Sequence, residues 1–232
     1  MRNRALKPLQ SDSPNVEVKR LFITFEGIEG CGKTTQIKRL VKRLRARGVS
    51  LITTLEPGGT RIGKKIRQIL LDSKNTHLTP LAELILYAAD RAQHVEEVIK
   101  PALDQGKWVI CDRFFDATVV YQGIARKQDM RLIEILNEKV TGGVLPDTTF
   151  LLDCPIEVGL GRALDRNKAL SQEGQDRFER EKLDFHMEVR RGYLELAGKN
   201  PKRFEVIDGT LAKDEVEEEI FRYIQPFLDR TQ

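Results

Sequence analysis

The chain has 232 residues, 40% hydrophobic and 32% charged, with a net charge of +4 from 39 basic and 35 acidic side chains. That length carries a real core and suits one α/β domain, and the composition excludes a disordered chain. No apolar stretch approaches the 18 or so residues of a spanning helix, and so small a basic excess does not argue for nucleic acid. Three cysteines (Cys31, Cys111, Cys154) and three histidines (His77, His94, His186) lie scattered. They suggest no disulfide framework, zinc site or triad, and they fit a reducing cytoplasm.

Residues 1–19 hold Pro8, Ser11, Ser13 and Pro14, show no periodicity and lack the apolar core of a secretory signal. Arg2, Arg4 and Lys7 hint at a transit peptide, but Asp12 and Glu17 interrupt it; the expectation is a flexible extension before one domain over 20–232. Order begins with the apolar run Leu21–Phe25, a strand buried on both faces. A Gly-rich turn leads to a helix marked by Ile37, Leu40, Val41 and Leu44, with Gly48 as its C-cap, and Val49–Leu55 is a second strand. Leu81, Leu84, Ile85, Ala88, Ala92, Val95 and Ile99 mark one long helix from Thr79 to about Leu103. Strands follow at Trp108–Cys111, Thr148–Leu152 and Phe204–Ile207. Helical patterns occur at Leu132/Ile135/Leu136, Phe185/Val189/Tyr193/Leu196 and Val216/Ile220/Tyr223/Phe227. Alternating strands and helices predict an α/β fold with a mainly parallel five-stranded sheet flanked by helices. Asn167–Gln175 lose all periodicity and predict a mobile lid, about 162–178.

Gly27-Ile28-Glu29-Gly30-Cys31-Gly32-Lys33-Thr34 fits G-x-x-x-x-G-K-[ST], between a buried strand and an amphipathic helix. Glycines let successive backbone N–H groups turn around a polyphosphate, and the helix N-terminus adds its positive end. Lys33 then reaches the β/γ-phosphates and the Thr34 hydroxyl serves Mg²⁺. The nucleotide site comprises Gly27, Ile28, Glu29, Gly30, Cys31, Gly32, Lys33, Thr34 and Thr35. No N-K-x-D base-reading motif of a GTPase is present; Asn167-Lys168-Ala169-Leu170 lacks the aspartate. The third strand ends in Asp112-Arg113, which suits a small kinase: the arginine receives an anionic acceptor and the aspartate serves the Mg²⁺ shell.

With these features the chain resembles bacterial thymidylate kinases over about residues 20–229. The resemblance rests on FEGIEGCGKTTQ (25–36), EPGGT (56–60), YAADR (87–91), CDRFFDATVVYQG (111–123), PD (146–147) and IDGT (207–210). It implies phosphorylation of dTMP to dTDP by ATP with Mg²⁺, in a cytoplasmic homodimer that engages neither nucleic acid nor membrane. It implies that Tyr87 stacks on thymine, that Arg91, Thr118 and Gln122 contact the base, and that Tyr121 crowds a ribose 2′-hydroxyl. It also implies that Arg67 and Arg113 bind the acceptor phosphate, that Glu56 and Pro57 line its pocket, and that Glu29 lies near the sugar. Phe114 departs from the family's usual Tyr or His. The loop carries no arginine of its own, so a catalytic arginine is expected in the lid, among Arg162, Arg166 and Arg177, with Arg166 preferred. The expected catalytic set is thus Lys33, Arg113, Arg166 and Glu29, with Thr34 and Asp112 at the metal.

Duller readings stand beside these. Tyr87 is also a plausible core aromatic, Arg91 a surface partner of Glu83, Asp90 or Glu96, and the run 177–182 in part a solvated helix face. Glu26 suits a structural pairing as well as a ligand contact, and Cys31 is expected to be exposed in the loop. Other acceptors, or a nucleotide-dependent switch, remain as alternatives.

Overall fold

The computed structural model describes residues 20–169 and 177–229. Its five strands, β1 (Phe22–Glu26), β2 (Leu51–Leu55), β3 (Trp108–Asp112), β4 (Thr148–Asp153) and β5 (Phe204–Asp208), form one all-parallel sheet. The strand order is β2-β3-β1-β4-β5. Every residue of β1 is buried, as a central strand covered on both faces requires. Alternate residues face opposite layers. Phe22, Val109 and Cys111 pack on Val95, Ile99 and Phe114, while Ile23, Phe25 and Ile110 join a larger cluster with Leu40, Leu44, Val216 and Ile220.

The register decides where function can sit. Phe25 and Leu55 both pair with Asp112, Glu26 with Leu151, and Asp153 with Asp208. The strands therefore end nearly level, and the loops after them share one edge of the sheet, where open parallel sheets bind ligands.

Around the sheet lie α1 (Lys33–Arg45), α2 (Arg61–Leu71), α3 (Pro80–His94), α4 (Lys100–Asp104), α5 (Phe115–Thr118), α6 (Met130–Thr141), α7 (Ile156–Ala169), α8 (Leu183–Lys199) and α9 (Lys213–Asp229). The expected long helix is continuous from Pro80 to Asp104, its turns widening to π-helix over Val95–Ile99 to join α3 to α4. Thr79 caps its start by accepting from the Ala82 N–H. Helix α1 ends at Arg45, and Gly48 takes a left-handed φ of 77° two residues beyond its cap.

Three helical segments escape the periodicity. In α2 only Gly63 and Leu70 are buried, too thin a stripe to read. The stretch 115–125 is helical, but its π-helical part, Val119–Ala125, departs from the 3.6 period. Helix α7 occupies much of the expected lid: residues up to Ala169 are helical, Asn167–Ala169 included, although those three carry no helical period. The rest of the Asn167–Gln175 expectation, 170–175, lies outside the described residues, as do the extension 1–19 and residues 230–232.

Candidate active site

The loop after β1 meets the start of α7. Gly30 has φ 71°, and a Cβ there would fall 1.9 Å from the Gly159 carbonyl oxygen. A Cβ on Gly159 would meet the Glu29 carbonyl oxygen at 2.6 Å. Each glycine is thus required by close backbone approach, and together they seat the loop against α7. Lys33 is buried, and its Nζ donates to the carbonyls of Gly27 (3.0 Å) and Ile28 (2.8 Å). Cys31, expected to be exposed, is 2% exposed, with Sγ 3.5 Å from Lys33 Nζ.

Thr34 Oγ1 donates to Asp112 Oδ2 at 3.1 Å. A hydroxyl and a carboxylate, one at the helix start and one at a strand end, are hard oxygen donors that fit Mg²⁺, which takes few protein ligands and keeps water and phosphate oxygens. Among the described residues no three His, Cys, Asp or Glu side chains gather as a metal cage.

The loops after β1, β2 and β3 enclose a cleft of about 1390 Å³. It is lined by Gly30, Cys31, Gly32, Lys33, Thr34 and Thr35 on the nucleotide side, and by Glu56, Pro57, Arg67, Tyr87, Arg91, Arg113, Tyr121 and Gln122 on the other, with Glu29 and Asp112 between. Gly27, Ile28 and Thr118 are not among its lining residues. Thr118 instead accepts from Arg91.

Arg91 is 1% exposed, not a surface partner of its helix neighbours. Nε donates to Glu56 (2.9 Å), Nη1 to Asn137 (2.8 Å), and Nη2 to the Phe114 carbonyl (3.3 Å) and Thr118 (3.0 Å). These bonds use four of its five N–H groups, leaving one on Nη1. The other oxygen of Glu56 meets His94 Nδ1 at 2.9 Å. Tyr87 is half-buried in the cleft wall, and burial pushes its hydroxyl above the ordinary range.

Arg113 is a non-glycine residue at φ 68°, a left-handed conformation that costs about 1–2 kcal/mol and gathers at functional sites. Its Nη2 donates to Glu29 Oε1 (2.9 Å) and its Nη1 to Tyr193 Oη (2.9 Å). Tyr121 Oη also donates to Glu29 Oε1, at 2.6 Å. Burial works against the Glu29 charge, but Arg113, Lys33 and the Tyr121 hydroxyl outweigh it and hold the carboxyl below its ordinary value. Arg67 donates through Nη1 to the Pro57 carbonyl (2.9 Å), and burial pulls its pKa down. Among the described residues neither Arg67 nor Lys33 forms an ion pair.

Of the expected lid arginines, Arg162 lines the cleft and donates to the Gly209 carbonyl (3.1 Å). Arg166 lies one turn further along α7, and its side chain is outside the described residues. Arg177 bonds to the Leu70 carbonyl and pairs with Glu83 Oε2 at 2.7 Å, outside the cleft lining.

Sequence reasoning missed the supporting layer: His94, Asn137, Tyr193, Glu83 and His186. His186 is fully buried, its Nδ1 3.9 Å from Glu29 Oε2. None of these sits in a motif, and only the fold carries them to the site. Glu26 proves structural, accepting from the Phe114 N–H (2.8 Å) and Tyr193 Oη (2.6 Å). Burial, opposed by Arg113, raises its carboxyl from 4.5 to about 7. Between those values the folded state holds a proton that the unfolded chain has released, so stability present below pH 4.5 is lost as pH rises through 7. The expected loss is about 3 kcal/mol. Denaturant unfolding at pH 5, 6, 7 and 8 checks this: wild type loses more stability with rising pH than Glu26→Gln, and equal slopes would refute it.

A parallel sheet with a phosphate loop after its first strand, and a cation-lined cleft across its carboxyl edge, define a P-loop kinase. The family model described as thymidylate kinase matches residues 25–220. The thymidylate kinase of Citrifermentans bemidjiense is 59% identical over 189 residues, 82% of this chain and 84% of that protein. That of Geobacter sulfurreducens is 57% identical over 188 residues, 81% and 88% of the two chains. The crystal structure of thymidylate kinase from Ehrlichia chaffeensis superposes with a TM-score of 0.72 at 35% identity, covering 88% of this chain and 98% of that one. The chain belongs to the thymidylate kinase family.

Proposed function

We propose that the protein phosphorylates dTMP to dTDP with ATP as donor and Mg²⁺ as cofactor. The observation that carries this is a pair of cations, Lys33 and Arg67, that line one cleft and form no ion pair among the described residues. Two anion subsites facing each other suit transfer of a phosphoryl group between two phosphates. Family membership supplies the acceptor's identity.

The acceptor is a phosphate monoester, largely dianionic at neutral pH, so no general base is needed. The chain's work is alignment and charge neutralisation. The residues from Gly30 to Thr35 cradle the triphosphate, Gly27 and Ile28 hold Lys33 from behind, and Lys33 follows the transferring group. Arg67 and Arg113 hold the acceptor phosphate in line, while Glu29 holds Arg113. Thr34 and Asp112 would hold Mg²⁺, which when bound would supply positive charge to the phosphate oxygens. Arg166, on α7, is the arginine assigned to the catalytic role. Tyr87 stacks on thymine, Arg91 donates its remaining N–H to the base, Gln122 completes that contact, and Thr118 fixes Arg91 from behind. Tyr121 bars a 2′-hydroxyl, and Glu56 and Pro57 close the pocket. Three free cysteines fit a cytoplasmic enzyme, and among the described residues no helix is long and apolar enough to cross a membrane. An ADP-release assay over dTMP, dUMP, dCMP, UMP, AMP, GMP and thymidine tests the assignment. Preference for dTMP is expected; preference for another acceptor, or turnover needing none, overturns it.

We place a homodimer contact on α2 and α3, which pack together and expose Ile62, Ile69, Leu81 and Ile85 at 45–52%. Light scattering after gel filtration is expected to give twice the 26.5 kDa chain mass, and the Leu81→Asp/Ile85→Asp variant is expected to give the single mass. A monomeric wild type rules the contact out.

A further inference from the structure

Glu83 lies on α3 yet does not line the main cleft. It is 1% exposed and borders a separate cavity of about 420 Å³ with Arg126, Arg177 and Arg180. Its Oε1 accepts from Gln122 Nε2 (2.8 Å) and Arg126 Nε (3.1 Å), and its Oε2 faces Arg177 Nη2 at 2.7 Å. An ionised carboxylate only accepts hydrogen bonds. Beside it, the Gln122 amide has one satisfied orientation, with nitrogen donating to Glu83, which leaves Oε1 as the amide's acceptor for the cleft that Gln122 lines. A flipped amide would set oxygen against oxygen in a buried site, which is costly. The neighbouring Arg91 is equally fixed, and it only donates.

We infer that Glu83 is a specificity-determining positioning residue that, by orienting the Gln122 amide, makes the cleft wall present a donor beside an acceptor. That order matches a pyrimidine edge with a carbonyl next to a ring N–H, and it opposes one with an amino group next to an unprotonated ring nitrogen. The inference rests on the proposed reading that the cleft takes dTMP. Within that reading it assigns the rejection of dCMP to a side chain that touches no substrate.

The test is kcat/KM for dTMP and dCMP in wild type and Glu83→Gln. An amide at 83 satisfies either orientation of Gln122, so the dTMP-over-dCMP ratio is expected to fall at least about tenfold. Adding Gln122→Glu, which offers acceptors in any orientation, is expected to restore it. A merely structural Glu83 would lower both substrates alike, and an unchanged ratio overturns the inference. Wild type preferring another acceptor would instead defeat the dTMP assignment, so the two failures are distinguishable. Where Glu83→Gln is too unstable to assay, wild type decides. The Gln122 Nε2 proton bonded to the buried carboxylate is expected to exchange slowly by NMR with and without dTMP. Fast exchange, or its engagement by dTMP, overturns the inference.

Discussion

Lys33→Ala is expected to reduce turnover of dTMP with Mg-ATP by about 10³-fold or more while the protein stays folded. The size follows from the charge to be stabilised. A phosphoryl group in flight spreads it over three oxygens, and a fixed cation that follows them is worth several kcal/mol in a site screened from water. The fold survives because Lys33 makes no ion pair among the described residues. Its Nζ bonds to the carbonyls of Gly27 and Ile28 and to the Cys31 sulfur, all uncharged acceptors, so a stability change within about 2 kcal/mol is expected on truncation. Steady-state assays with a denaturation curve check both halves. Wild-type turnover in the variant would remove the phosphate loop from the chemistry.

Arg113→Lys is expected to lower kcat/KM for dTMP by about 10²-fold while leaving the ATP KM near wild type. The guanidinium fork donates to Glu29 and Tyr193 at once, 2.9 Å each, and an ammonium keeps the charge without that geometry. The lysine variant is the informative one: alanine would leave the half-buried Glu29 and the buried Glu26 without their cation, and breaking such a pair costs about 3–5 kcal/mol regardless of catalysis. Initial rates with each substrate varied separately give the answer. An effect confined to ATP would place Arg113 on the donor side.

The phosphate loop was legible because it is local. Its function needs backbone N–H groups from consecutive residues, so eight adjacent positions hold the signal, and Gly27 to Thr34 sit between β1 and α1 as their spacing implies. The strands were legible as short apolar runs for a similar reason: burial on both faces leaves no polar alternation. Helix α2 was not, since it covers the fold with little more than Leu70. The end of α7, Asn167–Ala169, was not legible as helix because Asn167 and Lys168 carry no apolar period; earlier in α7, Gly159 is kept for the close approach of the Glu29 carbonyl.

Sequence by itself therefore determined the fold class and the phosphate loop, since one is written in periods and the other in adjacent residues, while the residues proposed for the acceptor pocket came from the motifs of the family resemblance. Tertiary structure alone decided that Cys31 turns inward, that Arg91 is buried on Glu56 and Asn137, that Arg177 is spent on Glu83, and that Glu83 sets the Gln122 amide. Those partners stand 35, 46, 94 and 39 positions apart. A hydrogen bond or ion pair across such a separation leaves no local pattern, because what selects it is the desolvation of a polar group that the folded chain has already buried.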